Sequence, residues 1–308
     1  MQTLQPSIKS GRNVWNQEAL PQEEFQSRVQ QLQAAMTAKG LDLAFVYGRA
    51  FNGKADQAYL SNFVVRLAGA SAVAVPREGA PALFFEGAAR GLPSLKQTTW
   101  VDDVRAGSTV GDLCSKYLEG TQAKSVGLVG VRPQRPFQQF RALREALKGR
   151  QVSDNDRLVS DLRRVKSERE LGRMRKAGSA VAAMFAAIRG PKVKLTERAV
   201  EAEGRLAARL QGAEDVRLLL MRPGDWALRL AGDVPIKKGE RILVYASAEM
   251  DRYWAEAGRT FVAKEDGLVA VDAGTAGAIY QSMVKAVEQF SGGQQHDDVT
   301  LVIARSLA

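Results

Sequence analysis

Short apolar runs of strand length alternate with stretches of helical period along this chain, and that alternation is the strongest constraint on its fold. From Gln22 to Lys39 the apolar residues Phe25, Val29, Leu32 and Met36 recur at spacings of four, three and four, which predicts an amphipathic helix stopped by Gly40. LDLAFVY (41–47) reads as a buried strand, and SAVAVP (71–76) with PALFFE (81–86) as a hairpin turning at Gly79. Helical periodicity returns at 109–119, SVGLVGV (125–131) is a further buried strand, and Pro136 suits the first turn of a helix ending near Gly149. Residues 21–155 therefore read as one α/β domain, preceded by a polar, loose arm over 1–20.

The stretch Asp154–Lys166 is polar and basic and reads as a domain junction. Ser167 followed by Glu170 is a capping box, which predicts a helix start. Leu171, Met174, Val181, Met184, Phe185 and Ile188 then share one face, and Gly190-Pro191 ends that helix. A second helix is expected over 195–211. Strands follow at VRLLLM (216–221), RILVYASA (241–248) and 252–262, with Lys238-Gly239 as a turn signal. A last helix (278–290) and strand (299–305) are expected in the tail.

Composition excludes several classes. In 308 residues there is one cysteine, Cys114, so no intrachain disulfide can form. There is one histidine, His296, so no multi-histidine metal site is possible. Cys114 reads as a buried structural thiol, and the glycines of SVGLVGVRP do not make a dinucleotide-binding turn. The start of the chain has no apolar signal-peptide segment, and no apolar run is long enough to span a membrane, so a cytoplasmic protein with no membrane partner is expected. The net charge is +10, but the bases are spread along the chain. The densest stretch, RRVKSERELGRMRK (163–176), is interleaved with Glu168 and Glu170 and reads as a solvated helix face, so a nucleic-acid partner is not expected.

Three segments, in order, resemble the creatinase / aminopeptidase P family of Xaa-Pro peptidases. The first runs from EEFQSRVQQLQAAMTAKGLDLAFVYG through AYLSNF (58–63) to TTWVDDVR. The second is DLRRVKSERELGRMRKAG, and the third IKKGERILVYASAEMDRYWAEAGRTFV (236–262). The resemblance covers roughly residues 20–262. It implies an α/β creatinase-like N-terminal domain (21–155), an incomplete or diverged α+β pita-bread-like domain (156–262) and a tail of uncertain origin (263–308).

Active members of that family hold two divalent metals on two aspartates of the strand pair, then one histidine and two glutamates further on. Aligning Arg259-Thr260-Phe261 with the family pattern puts the second aspartate at Glu256 and the first at Tyr245. A neutral phenol is a poor substitute for a bridging carboxylate. The histidine and glutamate segments have no counterpart, and MRPGDWALRL (221–230) lacks the substrate-side histidine. Asp251 reads as a turn residue. The expectation is a non-catalytic relative with no cofactor, or, if any, one divalent metal (Mn, Co or Zn), and with a peptide or protein as partner. Strand edges left uncovered by a short second domain point to a homodimer. An active Xaa-Pro peptidase with other ligands is the main alternative.

The tail carries a second likeness. EDGLVAV (265–271) and FSGGQQHDDVTLVIAR (290–305) resemble the end of PPM-type serine/threonine phosphatases, which would make Asp266 and Asp297, with Asp298 beside it, metal-binding positions. A phosphatase-like regulator is the alternative this implies, and the basic net charge keeps a nucleic-acid-binding module as a further alternative.

Overall fold

In the computed structural model the residues described are 14–49, 54–65, 69–130, 143–189, 195–265 and 267–271. The chain divides between Leu171 and Gly172 into two compact units.

The first unit is built on a six-stranded mixed sheet. Helix α1 (Gln22–Ala38) buries Phe25, Val29, Leu32 and Met36, the face its spacing predicts. It ends at Gly40, whose φ of +67° costs a residue without a Cβ little. Strand β1 (Leu43–Arg49) follows, then helix α2 (Lys54–Ser61), β2 (Ala70–Pro76) and β3 (Ala82–Glu86). β2 and β3 form the expected hairpin, with Gly79 at φ +100°. A short helix α3 (Leu92–Lys96), β4 (Asp103–Gly107), helix α4 (Val110–Glu119), β5 (Ser125–Val129) and β6 (Gln151–Asp154) complete the sheet in the order β4-β3-β2-β1-β5-β6. Thr109 caps α4 by accepting the Asp112 amide at 3.1 Å.

Alternate residues of the strands enter two apolar layers. Leu43, Phe45 and Tyr47 of β1 join Val110, Leu113, Cys114 and Leu118 of α4, so Cys114 is a packed thiol. Helices α1 and α2 pack against β1 and β2. Asp42 ties the entry of β1 to β5 by accepting the amides of Lys124 and Ser125 at 2.8 and 3.0 Å. Residues 143–146 are helical, while Pro136, the expected helix start, lies outside the described residues.

The stretch read as a junction is ordered secondary structure in this unit: helix α5 (Arg157–Arg164) buries Leu158 and Val159, and Arg163 pairs with Asp56 of α2 at 2.6 Å. The capping box at the next helix, α6 (Glu168–Ala187), is present. Ser167 Oγ accepts the Glu170 amide at 3.2 Å, and Glu170 Oε2 accepts the Ser167 amide at 2.9 Å.

The second unit packs α6 and helix α7 (Glu197–Leu210) on one face of a four-stranded antiparallel sheet. Its strands are β7 (Asp215–Met221), β8 (Arg241–Met250), β9 (Tyr253–Ala263) and β10 (Leu268–Ala270), in the order β10-β9-β8-β7. The core joins Ala177, Val181, Met184, Phe185 and Ile188 of α6 to Val216, Leu218, Leu220, Ile242, Val244, Ala246, Ala248 and Phe261 of the sheet. Gly204 is the point of closest approach of α7, since a Cβ there would lie 2.6 Å from Leu218 Cδ1. The turn at Gly239 (φ +81°) precedes β8 as expected. The helix and strand expected at 278–290 and 299–305 lie outside the described residues. Among the described residues no helix is long and apolar enough to cross a membrane.

Candidate functional site

The site is built by the β8–β9 hairpin and the neighbouring β7. Asp251 and Arg252 turn the hairpin with φ of +49° and +80°, the two left-handed residues that a tight two-residue turn demands. Asp251 is indeed a turn residue: its carboxylate accepts Arg173 at 3.2 Å, while Glu214 accepts the Asp251 amide and the Arg252 guanidinium.

Antiparallel pairing fixes which side chains share the face opposite the helices. Ser247 pairs with Glu256 on β9 and Arg217 on β7, Tyr245 with Gly258 and Leu219, and Glu249 with Trp254 and Asp215. Side chains on diagonal positions of neighbouring strands are within reach of long residues. Tyr245 Oη accordingly donates to Glu256 Oε2, across eleven residues of sequence. The Arg217 guanidinium carbon sits 4.5 Å from the centroid of the Trp254 ring.

Burial holds the Tyr245 phenol well above its ordinary pKa, and the hydrogen bond to Glu256 and that residue's negative charge push it further, with Ser247 and Arg217 opposing weakly. Tyr245 is therefore a protonated donor at neutral pH. This bears on the two metals implied by the family resemblance. A dinuclear centre needs anionic bridging donors. At the two positions the resemblance implies as aspartates, the strand pair offers a carboxylate, Glu256, that accepts a hydrogen bond from a neutral phenol, Tyr245, so this donor set does not fit. Among the described residues no three His, Cys, Asp or Glu side chains gather to hold a metal ion.

Of the residues singled out from the sequence, Glu256 and Tyr245 are brought together. Asp266, Asp297, Asp298 and His296 lie outside the described residues. Arg217, Ser247 and Trp254 were not singled out, because only the strand register puts them beside Tyr245. The lone charge of Arg217 in the apolar run VRLLLM is the available signal.

A second polar cluster fixes the segment that follows β7. Glu197, wholly buried at the start of α7, accepts Arg229 at 2.7 Å, Arg222 at 3.1 Å and the Gly232 amide at 2.9 Å. Burial alone would raise its pKa, but hydrogen bonds from Arg229 and Gly232 and the two guanidinium charges outweigh it and leave the carboxyl below its ordinary value. The segment MRPGDWALRL is thus held by arginines, with Trp226 exposed on it.

Residues 28–165 match the model of the Creatinase/Prolidase N-terminal domain. No curated protein sequence matches the chain. The Xaa-Pro dipeptidase from Bacillus anthracis superposes with a TM-score of 0.59 at 17% identity, over 79% of this chain and 66% of that one. The X-Pro aminopeptidase from Thermotoga maritima gives 0.62 at 20% identity, over 79% and 65%. The N-terminal domain of the FACT complex subunit SPT16 from chickpea, Cicer arietinum, gives 0.54 at 14% identity, over 78% and 66%. The chain thus spans about two thirds of the length of these structures. The resemblance to the creatinase and aminopeptidase P proteins is borne out: residues 28–165 match that N-terminal domain, and the chain has the fold of the pita-bread peptidases. These comparisons give no support to the phosphatase likeness of the tail.

Proposed function

We propose that this chain is a non-catalytic relative of the Xaa-Pro peptidases that binds a peptide or protein segment on the polar face of its four-stranded sheet. The observation that carries the reading is the hydrogen bond from Tyr245 to Glu256. It engages the carboxylate at the second implied aspartate position and puts an un-ionised group at the first. Without a metal to bring water toward a neutral pKa, the face can bind but has no activated nucleophile. The same fold occurs in the N-terminal domain of a FACT complex subunit, so it is found in a protein complex as well as in peptidases.

The test is metal analysis of the purified protein after incubation with Mn²⁺, Co²⁺ and Zn²⁺, alongside release of the N-terminal residue from an Xaa-Pro peptide. Substoichiometric metal and no turnover are expected. Stoichiometric metal with turnover would show an active peptidase using other ligands. Tyr245→Asp should raise Mn²⁺ affinity by at least about tenfold, since it sets a second carboxylate across from Glu256.

A further inference from the structure

We infer that Arg217 anchors a site for a carboxylate group carried by the bound peptide, a step that rests on the peptide-binding reading above. Arg217 stands in the middle of the polar face, directly paired with Ser247 across β7 and β8. Its guanidinium is seated over Trp254, and it forms no ion pair among the described residues. Its buried Nε has no hydrogen-bond partner, and neither does the Oγ of Ser247, a residue only 1% exposed. Two adjacent polar groups without partners at one buried spot are costly, because each has given up water without a replacement.

The chemistry of the missing group follows from what the neighbours already do. Glu256 accepts the Tyr245 hydroxyl, Asp215 accepts the Val216 amide at 2.8 Å, and Glu249 has interactions of its own. None of these carboxylates hydrogen-bonds the Arg217 guanidinium, whose fork is left without an acceptor among the described residues. A cation resting on an indole keeps its N–H groups for an acceptor, and the planar fork of arginine fits a carboxylate with two parallel hydrogen bonds. A second oxygen or the adjoining amide of such a ligand would reach the Ser247 hydroxyl. The net charge of +10 favours the approach of an anionic ligand from a distance.

The carboxylate could be a peptide's C-terminus or an acidic side chain, and three probes separate these sources. They are N-acetyl-Gly-Ala-Ala with a free carboxylate, its C-terminal amide, and N-acetyl-Ala-Glu-Ala-amide, each titrated calorimetrically into the full chain with tryptophan fluorescence in parallel. At least one carboxylate-bearing probe should bind about tenfold or more tighter than the neutral amide. The free-acid tripeptide leading identifies a terminal carboxylate, and the glutamate peptide leading identifies a side chain. Arg217→Met should abolish the preference, and Arg217→Lys, which keeps the charge and loses the fork, should restore part of it. Equal binding of all three probes, or a preference that survives Arg217→Met in folded protein, overturns the carboxylate site and leaves the peptide-binding reading standing. No binding of any probe overturns the site. Turnover of an Xaa-Pro peptide with bound metal overturns the non-catalytic reading alone, since the Arg217 preference remains measurable in that case.

Discussion

The two faces of the four-stranded sheet have opposite fates although one set of strands makes both. On β8, Ile242, Val244, Ala246, Ala248 and Met250 are buried in the apolar core under α6 and α7. The residues between them, Leu243, Tyr245, Ser247 and Glu249, face the other way, with Arg217, Trp254 and Glu256 on neighbouring strands. A strand reverses its side chains at every residue, so one face can change its chemistry while the hydrogen-bonded ladder and the packed face stay as they are. The packed face shares its fold with the peptidases. The polar face carries the Tyr245 phenol and the Arg217 guanidinium among the carboxylates of Asp215, Glu249 and Glu256. A single hairpin can thus hold the core of a fold on one face and carry its own chemistry on the other.

Substitutions on the packed face should be the most damaging. Phe261 is fully buried, 6.1 Å centroid to centroid from Phe185. Phe261→Ala should cost about 3–5 kcal/mol in urea or guanidinium unfolding, through lost burial and the cavity left behind. A loss under about 1 kcal/mol would mean that this face does not carry the stability of the unit.

A smaller effect on the same face is expected at Gly204, where the helix comes nearest the sheet. Gly204→Val brings its first side-chain carbon within 2.6 Å of Leu218 Cδ1 and 3.3 Å of Ile188 Cγ2. Overpacking should cost about 1–3 kcal/mol, against a helix-propensity gain of about 0.4 kcal/mol. An unfolding midpoint unchanged from the parent would show that α7 is free to shift outward.

The packed face was also the part most legible in the sequence. Local rules gave the helix over α1, the hairpin at Gly79, the Ser167–Glu170 box and the strands of the second unit, because periodicity, caps and turns act over a few residues. Helix α5 escaped them. It buries only Leu158 and Val159, and Arg163 is fixed by Asp56, 107 residues away, so its charged stretch reads as a junction. The exposed strand β6 and the polar β4 likewise carry no alternation and depend on their sheet neighbours for definition. Tyr245 and Glu256 could be singled out only through family likeness, and Arg217 with Ser247 needed the pairing register. Asp266 and Asp297 lie outside the described residues.

A gentler loss is expected at low pH. Glu197 has its carboxyl held below the ordinary value, its burial outweighed by Arg229, Gly232 and Arg222, and so does Glu240, its burial outweighed by Arg222 and the Lys237 amide. A depressed folded pKa contributes stability that is present above the unfolded value and is lost as pH falls through the folded one. Unfolding midpoints should fall progressively below about pH 4.5. Glu197→Gln should flatten that dependence. An acid limb as steep as the parent's would place the titrating groups elsewhere.

The smallest expected effect lies on the polar face, and its sign is opposite in pH. Tyr245→Phe removes one hydrogen bond from a half-buried phenol and should cost about 0.5–1.5 kcal/mol at neutral pH. Because burial and Glu256 raise the folded pKa above the ordinary value of 10.0, the contribution is fully present below that value and fades as pH rises beyond it. The phenols of Tyr59 and Tyr117 are raised by burial as well, so the parent's alkaline loss is a sum. The difference between parent and Tyr245→Phe isolates the single residue: the gap in unfolding free energy should be constant from pH 6 to 9 and narrow above pH 10. A gap that widens at alkaline pH would mean that Tyr245 ionises more readily in the folded chain than in the unfolded one. The phenol would then be an anionic group available to a cation, and the proposal of a non-catalytic polar face would fail at its central residue.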